Sequence, residues 1–191
     1  MTEHRCPWMD DELEMFRDAA RRFVENEIVP NDPRWREQHH VDRDLWNKAG
    51  EVGLLCTDIP DQYGGVGGDA RHEAVVVEEM GRRGITSFGH MVHSILAHYV
   101  LNYGSEAQKL DWLPRMASGE LVGAIAMTEP GAGSDLQAVK TRAVRDGDHY
   151  VLTGAKTFIS NGLHAGLVGV VAKTDASKGA KGISIIMAET K

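Results

Sequence analysis

The stretch Gly119-Glu120-Leu121-Val122-Gly123-Ala124-Ile125-Ala126-Met127-Thr128-Glu129-Pro130-Gly131-Ala132-Gly133-Ser134-Asp135 divides this chain into two textures. Leu121 to Met127 is a short apolar run suited to a buried strand. Thr128 to Ser134 is a turn-forming stretch, because Pro sets one dihedral and two glycines release others. Before Gly119 the hydrophobic spacing is helical. From Gly119 onward, short alternating runs are separated by turn residues, and eleven of the 21 glycines fall here. The expectation is an α+β chain. An all-α helical domain occupies residues 1–118, and an incomplete, antiparallel β domain occupies 119–191.

In the helical part, Leu13, Phe16, Ala20, Phe23, Val24 and Ile28 recur at helical spacing, so residues 10–28 predict one amphipathic helix. Asp10 or Asp11 can cap its start and Pro30 stops it. Residues 31–40 are polar and read as a linker or short turn. A second helix fits 42–52, with Leu45, Trp46 and Ala49 inward. Ile59 to Gly68 carries a proline and four glycines and reads as a loop. A third helix fits 69–83, and a fourth lies in the uncharged run Gly84 to Ser105. Ser105 can cap a fifth, through about residue 116. In the β part, strands are expected over 139–145, 150–153, 157–160, 167–174 and 183–188. Asp146-Gly147-Asp148 marks a hairpin between the first two of these.

The charge count is 21 Lys+Arg against 28 Asp+Glu. Up to Arg83 there are 11 basic and 19 acidic residues (11 − 19 = −8), and the remainder carries 10 and 9 (+1). Neither part is basic, which argues against a nucleic-acid binder. With 191 residues, 42% of them hydrophobic, the chain can build a core without staples. Cys6 and Cys56 are too few for a secreted disulfide framework, so a reducing compartment, the cytoplasm, is expected. Met1-Thr2-Glu3-His4 opens polar, unlike a leader peptide. The uncharged run Gly84 to Ser105 holds His90, His93 and His98, which argues for a buried helix and against a membrane span.

Two segments have the composition of a binding site. In Ile125 to Asp135 a strand runs into a Pro-Gly turn whose exposed N–H groups can form an anion-binding nest, with the Ser134 hydroxyl beside it. A plain turn with Asp135 capping the next segment fits the same residues. Gly131-Ala132-Gly133 lacks the third glycine of a dinucleotide fingerprint and the Gly-Lys-Ser/Thr of a P-loop. The second segment is Gly154-Ala155-Lys156-Thr157-Phe158-Ile159-Ser160-Asn161-Gly162. As a strand it places Phe158 and Ser160 on one face, an aromatic wall beside a hydroxyl. A core Phe beside a turn-capping Ser is the plainer reading of this segment by itself.

Taken together, Thr128-Glu129-Pro130-Gly131-Ala132-Gly133-Ser134-Asp135 and Lys156-x-Phe158-Ile159-Ser160-Asn161-Gly162 closely resemble the acyl-CoA dehydrogenase family. The resemblance extends to Ile59-Pro60-(x)3-Gly64-Gly65 and to Gly104-Ser105-Glu106-Ala107-Gln108-Lys109. It implies a helical domain, a middle β domain and a C-terminal four-helix domain that is absent from this chain, with FAD between the last two. It assigns cofactor contacts to Ile125, Met127, Thr128, Gly133, Ser134, Phe158, Ile159 and Ser160. Met127 and Thr128 would face the pyrimidine edge of the flavin, and Gly133 and Ser134 the pyrophosphate. Phe158 would pack on the ring, where many relatives have Trp. Ser160 would hydrogen-bond near N5 or O4, where many have Thr.

For substrate the resemblance points to Ser134 on the CoA portion and to Ser87, Phe88 and Met91 on the acyl pocket. Core packing is an equal account of Phe88 and Met91. The implied chemistry is α,β-dehydrogenation of an acyl-CoA. A carboxylate takes the α-proton, the β-hydride passes to the flavin, and an electron-transfer flavoprotein takes the electrons. The base Glu is expected beyond Lys191, and Glu129 reads as a turn residue. Association as a homotetramer or homodimer is implied for a full-length protein. A same-fold acyl-CoA oxidase, nitroalkane oxidase or flavin monooxygenase, and a non-catalytic truncated relative, remain open readings. No metal site is expected. His90 and His93 can share a helix face, but no carboxylate or Cys lies at ligand spacing beside them, and His72-Glu73 lacks a second His.

Overall fold

The computed structural model describes residues 6–190, so the polar opening at Met1 to His4 lies outside the described residues. The chain divides into two compact units, Met1–Leu121 and Val122–Lys191. The first contains α1 (Asp11–Phe23), α2 (Asp32–Gln38), α3 (Asp44–Glu51), α4 (Ala70–Arg82), α5 (His90–Tyr103) and α6 (Glu106–Ala117). Among the described residues, no helix is long and apolar enough to cross a membrane.

Local chemistry sets most of these boundaries. The Asp10 side chain accepts from the Leu13 N–H at 2.9 Å and starts α1. Asp69 and His72 form a reciprocal capping box at α4, and Ser105 and Gln108 do the same at α6. Charge then pairs α1 with α4. Arg17 Nη2 donates to Glu78 at 3.0 Å, and Arg21 Nε donates at 3.1 Å to Glu79, which is 3% exposed. Leu13, Ala20 and Phe23 supply the buried stripe of α1. α5 buries His90, His93, Ser94, Leu96, Ala97 and Val100. The buried rings of Trp46 and Phe88 meet edge to face at 4.6 Å.

Two expectations change here. The first helix does not run unbroken over 10–28. Val24–Ile28 widens into a π-helical turn, closed by Val29 N–H donating to the Val24 carbonyl at 2.9 Å. Residues 31–40 are not merely a linker either, since α2 lies within them. Pro33 sits in its first turn, where a missing N–H is harmless, and Trp35 anchors it at 2% exposure. A seven-residue helix with one large apolar side chain has no periodicity to read.

The second unit is a five-stranded mixed sheet: β1 (Val122–Ala126), β2 (Arg142–Asp146), β3 (His149–Thr153), β4 (Ala165–Lys173) and β5 (Ile183–Glu189). β2–β3 and β4–β5 are antiparallel, as expected. β1 runs parallel to β4 with Ala124 opposite Val168, and β2 meets β4 in parallel at Arg142 and Lys173. The sheet is therefore mixed, whereas antiparallel pairing throughout was expected. Hairpin signals report only neighbours in sequence, and both parallel pairs join segments distant in it. The strand expected over 157–160 is absent. Phe158 and Asn161 take left-handed backbone conformations (φ 55° and 65°), which an extended run cannot contain, so Phe158 and Ser160 do not share a strand face.

The exit from α6 is a close approach of backbones. Gly119 has φ 78°, and a Cβ there would lie 2.1 Å from the Trp46 carbonyl oxygen. Arg43 Nη2 donates to the Gly119 and Glu120 carbonyls at 2.7 and 2.6 Å, closing the same turn. Gly147, in the β2–β3 turn, has φ 58° but open space around it. Gly147→Ala is therefore expected to cost about 1 kcal/mol, from backbone strain alone. Gly119→Ala adds a clash with fixed backbone and is expected to cost about 3 kcal/mol or more. Urea unfolding of both variants measures the difference, and equal losses would contradict this account.

Candidate functional site

The turn after β1 is closed by its own backbone. Glu129 N–H donates to the Ala132 carbonyl at 2.8 Å, and Ala132 N–H returns to the Glu129 carbonyl at 3.1 Å. Asp135 accepts from Gln137 N–H at 3.0 Å and caps a short 3-10 turn, so the plain-turn reading describes real bonds. It does not account for two glycines. A Cβ at Gly131 or Gly133 would meet nothing within 4 Å, and neither has a positive φ. Neither packing nor conformation requires glycine at these positions, and both are exposed, as is Ser134. The result is a bare backbone edge that a ligand can approach closely.

Below this turn lies an ion pair that joins the two sequence motifs. Lys156 Nζ donates to the Met127 carbonyl at 2.8 Å and to Glu129 Oε1 at 2.9 Å. Glu129 also accepts the backbone N–H groups of Lys140 at 2.6 Å and Thr141 at 2.9 Å. The neighbouring residue completes the seam, with Thr157 N–H donating to the Thr128 carbonyl at 3.0 Å. The side chains of Lys156 and Glu129 are 12% and 6% exposed. Burial alone would raise the Glu129 pKa. Hydrogen bonds from Thr141, Lys140 and Lys156 outweigh it and hold the carboxyl at about 2. Glu129 is thus a fully engaged structural carboxylate and has no capacity to act as a general base near neutrality.

The segment after Lys156 presents an aromatic ring to solvent. Phe158 is 91% exposed, with φ 55°. Its flanks are fixed, by Thr157 on one side and on the other by Asn161 Nδ2, which donates to the Gly123 carbonyl at 3.0 Å. Ile159 is half-buried and Ser160 exposed. Ile125, Met127 and Thr128 are half-buried along the end of β1. The structure therefore brings the two predicted cofactor segments into one seam. It does not support the core-packing alternative for Phe158.

In the helical unit the predicted acyl-pocket residues have different surroundings. Ser87 Oγ donates to Asp32 Oδ1 at 2.6 Å. Phe88 is buried against Trp46, and Met91 is 53% exposed. His93 is fully buried, with Nε2 3.1 Å from the Met116 carbonyl and 3.8 Å from Cys56 Sγ. Burial pushes its pKa down to about 3. Among the described residues, no group of three or more His, Cys, Asp or Glu side chains could hold a metal ion.

Sequence reasoning missed Lys156 and Asn161, and gave Glu129 only a turn. The available signal was one buried-type carboxylate and one lysine of opposite charge, each inside a motif otherwise short of charge. Because the Glu129 pKa is lowered, its stabilisation is present above its ordinary value of about 4.5 and is lost as pH falls toward 2. Unfolding free energy should fall across that window by on the order of 3 kcal/mol through this group. Glu129→Gln should show a correspondingly flatter acid limb in urea titrations at stepped pH. An unchanged slope would show that the pair does not carry the effect.

Comparison with known proteins places these features. Residues 10–120 match the acyl-CoA dehydrogenase N-terminal domain, and 124–191 match the acyl-CoA dehydrogenase middle domain. The pig (Sus scrofa) mitochondrial long-chain specific acyl-CoA dehydrogenase is 45% identical over 181 residues, which is 93% of this chain and 42% of that protein. The crystal structure of an acyl-CoA dehydrogenase from Geobacillus kaustophilus superposes with a TM-score of 0.91 at 43% identity, covering 96% of this chain and 49% of that one. An acyl-CoA dehydrogenase from Bacillus anthracis, solved in complex with FAD, gives 0.84 at 36% identity, covering 95% and 31%. The chain spans less than half the length of each of these relatives. By both domain matches and by these likenesses, the chain belongs to the acyl-CoA dehydrogenase family.

Proposed function

We propose that this chain carries the helical and flavin-facing portions of a FAD-dependent dehydrogenase that acts on an acyl-CoA thioester. The observation that carries the reading is Phe158. Its ring is 91% exposed and its backbone is left-handed, directly after a seam that fixes Met127 and Thr128. Exposure of a large apolar ring and a positive φ at a non-glycine residue both disfavour the isolated protein. A planar ring stacked on Phe158 would offset the first and give the second a purpose.

Bound FAD would supply the acceptor for the hydride that leaves the acyl β-carbon. In this reading the half-buried Ile125, Met127 and Thr128 line its pyrimidine edge, with the Thr128 hydroxyl as donor. Gly133 and Ser134 bring N–H groups to the pyrophosphate along the bare turn edge, and Ser134 also meets the CoA portion of the substrate. Ile159 packs beside the Phe158 ring, and the exposed Ser160 hydroxyl serves a polar flavin edge. Ser87, Phe88 and Met91 are proposed for the acyl chain. Met91 has the free surface for it, whereas Ser87 already holds Asp32. The proton-abstracting carboxylate is proposed to lie outside the described residues, since Glu129 is committed to its lock. The proposed electron acceptor is an electron-transfer flavoprotein, and the proposed setting is a cytoplasmic homo-oligomer, in keeping with the free thiols of Cys6 and Cys56.

The test is FAD titration of the protein, followed by flavin fluorescence and the visible flavin band. Phe158→Ala should raise the FAD Kd about ten- to a hundredfold, the range for uncovering one aromatic contact. Phe158→Gly should do the same while leaving the stability of the FAD-free protein unchanged or raising it by up to about 1 kcal/mol. A wild-type protein that retains no flavin, or Phe158 variants that bind it as well as wild type, would overturn the reading.

A further inference from the structure

Lys156 reaches an atom through which it can act at a distance. The Met127 carbonyl that receives its Nζ, at 2.8 Å, and the Thr128 N–H are two ends of one peptide group. Among the described residues, neither the Met127 N–H nor the Thr128 N–H donates to another protein group. A cation hydrogen-bonded to an amide oxygen polarises that amide and strengthens its N–H as a donor. The ammonium's other partner, Glu129, does not cancel this pull. Its charge is shared with the N–H groups of Lys140 and Thr141, and its attachment keeps Nζ seated on the carbonyl.

We propose that Lys156 is a positioning residue that, through the Met127–Thr128 amide, raises the reduction potential of the flavin bound along this edge. The inference rests on the flavin reading above. A flavin gains negative charge on its pyrimidine edge when reduced. A donor that is fixed in place and polarised in advance favours the reduced form over the oxidised one. Removing the ammonium weakens that donor without touching the flavin's own contacts.

Three variants test it: Lys156→Met, Lys156→Arg, and the pair Lys156→Met/Glu129→Gln. The last leaves no buried carboxylate unpaired and serves if Lys156→Met fails to fold. In the flavin-free protein, the Thr128 amide proton should move upfield in the Met variants and stay near its wild-type position in the Arg variant. In the flavin-loaded protein, dye-equilibrated reductive titration should show the ratio of reduced to oxidised flavin falling about tenfold at fixed poise. That is a drop of about 30 mV for a two-electron couple, largely restored by Lys156→Arg. A purely structural lysine would alter melting temperature and FAD affinity while leaving the potential and the Thr128 proton in place. That outcome overturns the inference alone. Failure of the wild-type protein to bind flavin overturns the flavin reading, and this inference with it.

Discussion

The Glu129 carboxylate lies beneath the surface of the β unit with one cation and two backbone N–H groups to balance it. Measured against an apolar replacement of the same shape, a buried pair of this kind adds little net stability, because desolvation consumes most of the attraction, although neutralising one partner is costly. What it supplies is geometry. Lys140 and Thr141 come from the segment that leads into β2, Glu129 from the turn after β1, and Lys156 from the segment that follows β3. One carboxylate therefore ties together three pieces of chain that have no reason to meet through sequence proximity. Every group proposed to face the flavin lies within a few residues of one of these anchors.

The two units are held by different physics. The helical unit is framed by partly buried arginine–carboxylate pairs between α1 and α4 and filled by close-packed rings such as Trp46 and Phe88. Its buried histidines belong to that packing: His93 rests against the Met116 carbonyl and the Trp46 ring. In the β unit a cluster of buried and half-buried polar contacts lies at the end of β1, and the exposed Phe158 ring follows directly on it in the chain. A rigid seam next to an exposed ring is what a preorganised binding edge requires, because the protein then reorganises little when a ligand arrives.

Much of this was legible from sequence where the determinant is local. Asp10 and Ser105 are capping residues in their own right, and Asp146-Gly147 turns a hairpin by its own backbone preferences. The two candidate segments were legible as motifs, because paired glycines in a Pro-Gly turn and an aromatic near a hydroxyl have the composition of a binding edge. What was hidden depends on partners distant along the chain. The parallel pairing of β1 with β4 leaves no mark in either strand. The left-handed turn at Phe158 is imposed by Thr157 and Asn161, which bond to carbonyls on the β1 segment. α2 is held by the burial of one tryptophan, which no periodicity records. The engagement of Lys156 with Glu129 required knowing that the two motifs are neighbours in space.

The parallel register of β1 on β4 also orders events in time. β1 leaves the ribosome well before β4, and the turn, the β2–β3 hairpin and the Phe158 segment must all be synthesised between them. The helical unit, made first and built from neighbouring segments, can close early. For the whole of that interval the apolar strand Val122–Ala126 has no partner within its own sheet. Such an edge invites pairing with another chain. The nascent protein is therefore most exposed to misassembly after its helices have folded and before β4 emerges, a vulnerability set by topology that no improvement of the helical core would remove.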